Sequence, residues 1–191
     1  MIDYKKFCFG ACPRTGSTWV MQAAAIAKLG EGFKVDVHVP PTENHPGKLI
    51  VTLVRHPYDW LASYYFALQG GCVGISLIDE IAPLAREAEN FEHFVLSYCE
   101  SLAGRYSEII RSYRGDSVIR TEDLRWGIIG LFKALGVKEN RLAEIRDMPP
   151  INVNATKGNI NYNILYLQEI VRRAERETYD HFDYGLTGDL L

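Results

Sequence analysis

Residues Phe7 to Cys12 form an apolar run that passes directly into Pro13-Arg14-Thr15-Gly16-Ser17-Thr18-Trp19 and then into a helix-forming stretch, Val20 to Leu29. A strand, a short hydroxyl-rich turn containing glycine and a helix N-terminus together open a βα unit, and they restrict the fold more than any other segment of this chain. Backbone N–H groups and the positive end of the helix dipole converge at such a turn, which makes it an anion cradle. Arg14 adds a fixed positive charge. The segment is not the loop that serves ATP and GTP. In the frame Gly-x4-Gly-Lys-Ser/Thr, Gly16 and Thr18 fall on the second glycine and the terminal hydroxyl, and Ser17 replaces the lysine that reaches the β- and γ-phosphates. The cation stands two residues before Gly16 instead.

Strand and helix signals alternate along the rest of the chain. Phe33 to Val39 reads as a short β segment of alternating polarity, followed by a Pro/Asn/Gly turn cluster from Pro40 to Gly47. The continuous apolar run Leu49 to Val54 predicts a central parallel strand covered on both faces. Pro57-Tyr58-Asp59 opens a helix through about Gln69, with the proline suited to the first turn. Residues 75 to 113 read as mainly helical, Ser117 to Arg120 as a short strand, and 125 to 135, 139 to 146 and 161 to 178 as helices. With no internal repeat or linker, the expectation is a single domain over residues 1 to 191. Its expected fold is a three-layer, P-loop-like α/β domain with a central, mostly parallel sheet flanked by helices and its ligand site at the carboxyl ends of the strands.

Charge and composition narrow the classes of ligand. A net charge of −3 and a pI near 6.0 argue against nucleic acid or an acidic membrane surface as partner, since a polyanion needs a clustered excess of Lys and Arg. An anionic ligand must be met locally. No apolar stretch reaches the roughly 18 residues of a membrane span, and the chain enters strand-like sequence by Phe7 without a signal-peptide pattern, so a soluble, cytoplasmic protein is expected. The four cysteines agree. Cys8 and Cys12 would lie about 13 Å apart along a strand, beyond the roughly 7 Å limit for a disulfide. Cys72 and Cys99 lack a nearby Cys or His at metal-ligand spacing, and no metal site is expected.

A second constellation follows the central strand, where Arg55 ends the strand and Ser63 lies two turns into the next helix, in Arg55-His56-Pro57-Tyr58-Asp59-Trp60-Leu61-Ala62-Ser63-Tyr64-Tyr65. This segment and the first loop together resemble the two donor-binding signatures of sulfotransferases, enzymes that use 3′-phosphoadenosine 5′-phosphosulfate (PAPS) and release adenosine 3′,5′-bisphosphate (PAP). Thr121-Glu122-Asp123-Leu124 is similar to the family's Tyr-Glu-Asp-Leu, and Thr156-Lys157-Gly158-Asn159 to its late Lys-Gly loop. The four matches stand in family order between residues 7 and 159. The resemblance implies that the backbone of Thr15, Gly16, Ser17 and Thr18, with the hydroxyls of Ser17 and Thr18, binds the 5′-phosphosulfate. It implies that Trp19 stacks on or walls the adenine, that Arg55 and Ser63 take the 3′-phosphate, and that Lys157 and Gly158 close over that phosphate.

The implied reaction is metal-free, in-line transfer of a sulfuryl group to a hydroxyl or amine of a small-molecule or peptide acceptor. By analogy with phosphoryl transfer, negative charge builds on the leaving 5′-phosphate, and Arg14 is placed to stabilise it. The cytosolic branch of the family usually has Lys there, whereas protein-tyrosine sulfotransferases carry Arg in a similar Pro-Arg-Ser-Gly-Thr-Thr loop. Arg14 stays charged and donates hydrogen bonds without giving up a proton. His38, in Lys34-Val35-Asp36-Val37-His38-Val39-Pro40, is similar to the base of the family's Lys-Thr-His-Leu-Pro, with two extra residues between the Lys and the His. Glu43, His45 and Asp36 are alternatives for that proton. The acceptor pocket would be built mainly from residues 40 to 47 and 66 to 100, which carry no recognisable acceptor signature. Two other classes stay open. One is a P-loop nucleotide or small-molecule kinase, which would need a lysine where Ser17 stands and an acid for Mg²⁺; the other is a non-catalytic protein that binds PAP.

Overall fold

A computed structural model of the chain describes residues 2–3, 7–29, 34–35, 47–70, 80–151 and 164–185. In chain order these form β1 (Ile2–Asp3), β2 (Phe7–Ala11), α1 (Ser17–Ile26), β3 (Lys34–Val35), β4 (Leu49–Val54), α2 (Pro57–Gln69), α3 (Ile81–Glu87), α4 (Phe91–Ser101) and α5 (Arg105–Ser112). There follow β5 (Ser117–Arg120), a 3₁₀ turn (Thr121–Asp123), α6 (Leu124–Ala134), α7 (Glu139–Arg146), α8 (Leu165–Ala174) and α9 (Arg176–Phe182). The chain divides into two compact units, Met1–Arg55 with Arg111–Asn152 and His56–Ile110 with Val153–Leu191.

The first unit is α/β. Its sheet has the order β3-β1-β2-β4-β5, and the parallel part is the three strands β2, β4 and β5. β1 and β3, each two residues long, add to the β2 side in antiparallel fashion, so the parallel character expected of the whole sheet belongs to those three strands. The apolar run of β4 lies between two parallel neighbours, and both of its faces are buried: Val51 and Leu53 on one, Thr52 and Val54 on the other. One face of the sheet supplies Phe7, Phe9, Val51, Leu53 and Ile119 to a core completed by α1, α6 and α7. α1 contributes Trp19, Val20, Ala23 and Ala24, at the spacing of a single helix face. α6 lies tight against β5, since a Cβ built on Gly127 would come within 2.6 Å of Ile119 Cγ2.

α1 begins three residues earlier than the apolar pattern suggests, because Ser17 and Thr18 occupy its first turn, where hydroxyl side chains do not compete with intrahelical hydrogen bonds. It ends before Lys28, whose φ of 56° cannot continue a right-handed helix. Of the expected strand from Phe33 to Val39, the described part is Lys34–Val35. The rest of that segment lies outside the described residues.

The described residues of the second unit form helices α2 to α5, α8 and α9. α2 carries Pro57 in its first turn as expected, and it is buried along most of its length. Its rings and those of α4 make a continuous aromatic core: Tyr65 stacks on Phe94 at 5.5 Å between centroids, and Phe66 on Phe91 at 5.6 Å. The helix expected over 161 to 178 is broken at Glu175 into α8 and α9. Glu175 is fully buried, and its carboxylate accepts from Tyr98 Oη at 2.6 Å, from the amides of Tyr106 and Ser107 at 3.2 and 2.9 Å, and from Ser107 Oγ at 2.7 Å. The break serves α5, whose N-terminal amides receive a carboxylate from a distant part of the chain.

Burial pushes the Glu175 carboxyl above the ordinary carboxylate range against the opposing pull of its hydrogen bonds. The folded state therefore holds this proton more tightly than the unfolded chain, so the associated stability is present at low pH and is lost as pH rises through the raised value. Glu175→Gln turns one acceptor oxygen into a donor facing buried amides. It should lower stability by roughly 1–3 kcal/mol and remove this share of the pH dependence, measured by chemical denaturation at acidic and neutral pH. A variant as stable as the wild type at both would show that the carboxylate does not hold α5.

Candidate functional site

In the parallel register Ala11 pairs with Leu53, and Val54 with Arg120. All three strands therefore give way to loops at the carboxyl edge of the sheet, β2 at Cys12 and, one position further along, β4 at Arg55 and β5 at Thr121. The loop that follows β2 has alternating backbone handedness: φ is 67° at Arg14 and 91° at Gly16, and Thr15 between them is not in the positive-φ region. Such alternation turns successive N–H groups toward one side and forms a concave nest that suits an anion. The left-handed conformation costs Arg14 about 1–2 kcal/mol, so the loop is shaped against the preference of its own residue. At Gly16 a Cβ would also meet Leu124 Cδ2 at 2.6 Å.

The carbonyls of the loop are held by side chains. Thr15 Oγ1 donates to Cys12 O at 2.6 Å, and Arg55 Nη1 donates to Arg14 O at 3.1 Å. Thr121 Oγ1 lies 3.1 Å from Thr15 O and 2.9 Å from Val54 O.

The helix that the loop feeds begins with its amides uncovered by its own residues. The N-cap of α1 is Gly16, which has no side chain to cover the first-turn amides, and that turn contains no acidic residue. α3, α6 and α8 likewise lack a first-turn acid and a side-chain cap, but among the described residues α1 alone of these follows a loop with positive φ, at Arg14 and Gly16. The positive end of the α1 dipole thus has no internal counter-charge on its own helix, and the half-buried Arg14 adds to it. The residues present fit an anionic group.

The structure brings together Arg14, Thr15, Gly16, Ser17, Thr18 and Arg55 in the first unit. Ser17 is buried at 8% exposure and Thr18 is half-buried in the first turn. Trp19 is 6% exposed and packs in the core, which leaves little ring surface for stacking. Ser63 belongs to the second unit, where it is 9% exposed on α2. His38, Lys157 and Gly158 lie outside the described residues, as do Asp36, Glu43 and His45. So does much of the expected acceptor region, at residues 40–46 and 71–79.

Cys12 begins the loop but is fully buried, and burial pushes its thiol far above the usual range, which removes it as a nucleophile. Cys8, Cys12 and Cys99 are free thiols. Glu122 and Asp123 are exposed in the 3₁₀ turn, and among the described residues no group of three or more His, Cys, Asp or Glu could hold a metal ion. Nor is any helix among them long and apolar enough to cross a membrane. Thr121 is the residue that sequence reasoning passed over, noting it as part of a four-residue match. Its signal was a hydroxyl at the first position beyond a short parallel strand.

No protein-family model, curated protein or solved structure matches this chain.

Gly16→Ala should test the loop's geometry. The positive φ alone costs the variant about 1–2 kcal/mol, and contact with Leu124 adds to that unless the leucine moves. Thermal denaturation should show the loss, and a variant of wild-type stability would mean that the loop does not require this conformation.

Proposed function

We propose that this protein is a PAPS-dependent sulfotransferase with a three-layer, P-loop-like core. The observation that carries the reading is the strand–nest–helix cradle at the carboxyl edge of the sheet, with Arg55 brought from the neighbouring strand end onto the loop itself. A phosphate-binding loop without the nucleotide-kinase lysine, accompanied by an arginine from the next parallel strand, suits a donor that carries a second phosphate group. The resemblance of the four segments supplies the identity of that donor.

PAPS contributes the sulfuryl group: its sulfur–oxygen bond to the 5′-phosphate breaks as a bond from the acceptor oxygen or nitrogen to sulfur forms. In this reading the N–H groups of Thr15 to Thr18 hold the 5′-phosphosulfate, and the Ser17 and Thr18 hydroxyls donate to its oxygens. Arg14 stabilises the charge that builds on the leaving phosphate. Arg55 and Ser63 take the 3′-phosphate, with Lys157 and Gly158 closing over it, and Trp19 forms a wall by its packing. The acceptor proton goes to His38, or to Glu43, His45 or Asp36 in its place. The acceptor is a small molecule or peptide.

PAP should bind more tightly than AMP, because the 3′-phosphate has its own cation. At about 100 times its dissociation constant PAP should raise stability by roughly 2.7 kcal/mol, visible as a thermal shift. Equal shifts with AMP would remove the basis of the reading. Arg14→Ala should lower turnover with labelled PAPS by roughly 10²-fold while weakening donor binding less, the mark of a group that matters more in the transition state than in the ground state. An equal, small fall in both would make Arg14 a binding residue alone.

A further inference from the structure

Thr121 has no part in the donor-binding assignments, yet its hydroxyl stands where three segments of the first unit meet. Oγ1 is within hydrogen-bonding distance of Thr15 O, at 3.1 Å, and of Val54 O, at 2.9 Å. A hydroxyl has one proton to donate, so these two carbonyls share it, and through it the loop after β2 is held to the residue just beyond β5. Arg55 fastens the preceding peptide through Nη1 and Arg14 O at 3.1 Å. A trans peptide plane points its C=O and N–H in opposite directions. Holding the Arg14 and Thr15 carbonyls on one side thus turns the Thr15 and Gly16 N–H groups to the other.

We propose that Thr121 and Arg55 are positioning residues that fasten the Arg14 and Thr15 carbonyls to the ends of β5 and β4, and so aim the Thr15 and Gly16 amides into the anion seat before any ligand arrives. Arg14 sits in a backbone region that side chains with a Cβ disfavour, and these two attachments offset that preference. The seat is therefore built in advance, which lowers the ordering needed on binding and keeps the donors fixed as charge develops. Arg55 has five N–H donors, one of which, on Nη1, holds the loop. An anion on Arg55 then acts on the same guanidinium that shapes the loop, which couples the two ends of the ligand site. Lysine has no planar fork with which to do both. The inference rests on the sulfotransferase reading solely for which anion fills the seat.

Residual dipolar couplings of the full, ligand-free chain test it, because they report the orientation of each N–H bond. Thr121→Val and Arg55→Lys should each shift the couplings of the Thr15 and Gly16 amides away from their wild-type values, while those of the Ile119 and Ile128 amides in the core stay unchanged. Thr121→Ser keeps the donor and should restore the wild-type couplings, which a mere packing role of the threonine methyl would not do. In parallel, Thr121→Val should weaken binding of inorganic pyrophosphate by roughly fivefold, the effect of losing one hydrogen bond, and Thr121→Ser should retain it. Unchanged loop couplings in Thr121→Val and Arg55→Lys overturn the inference, as does an equal change in loop and core. If Thr121→Val does not fold, Arg55→Lys and Thr121→Ser carry the same comparison. Because the couplings need no nucleotide, a wild type that ignores the 3′-phosphate defeats the donor reading and leaves this result standing.

Discussion

Parallel pairing of three short strands is the constraint on which the candidate site depends. With Ala11 opposite Leu53 and Val54 opposite Arg120, the chain leaves β2, β4 and β5 at one edge of the sheet. A slip of one residue would turn each strand's side chains to the other face and move the exits out of line. The packing of Phe7, Phe9, Val51, Leu53 and Ile119 in one core resists such a slip. Arg55 and Thr121 can then reach the backbone of a loop that is remote from both in sequence. The loop's unusual backbone signs at Arg14 and Gly16 are accompanied by hydrogen bonds from Arg55 and Thr121 to the loop's carbonyls.

The two units answer the same electrostatic problem in different ways. At the start of α5 the exposed ends of the peptide dipoles are met from within, by the Glu175 carboxylate on the Tyr106 and Ser107 amides. The arrangement requires a break between α8 and α9 and the burial of an acid whose proton affinity rises as a result. At the start of α1 the cap is a glycine and no acid stands in the first turn. Under the reading proposed here a ligand supplies the missing charge.

What could be read from the sequence follows the range of the forces involved. β4, α2 and β5 were legible because continuous apolar runs, a proline at a helix start and short strand patterns are local signals. The strand-to-helix turn at residues 12 to 16 was legible for the same reason. The break at Glu175 was not, since its cause is a set of donors on α4 and α5 far away in sequence. β1 is two residues long and has no period to detect, whereas β3 falls within the segment whose alternating polarity marked it as a strand. Thr121 was hidden by its chemistry: a threonine after a strand is common, and its two carbonyl neighbours appear when the sheet has formed. Trp19 is placed by the core, which leaves a wall rather than a stacking face as the form its expected role can take.

The central claim is that the backbone from Thr15 to Thr18 forms a ready anion seat. Titration of the isotope-labelled chain with adenosine 3′,5′-bisphosphate, followed by amide nuclear magnetic resonance, tests it residue by residue. The account predicts that the largest saturable shifts fall on the amides of Thr15, Gly16, Ser17 and Thr18, with the Arg55 side chain responding in the same titration. Saturable shifts confined to other parts of the chain, or none at millimolar ligand, would contradict it.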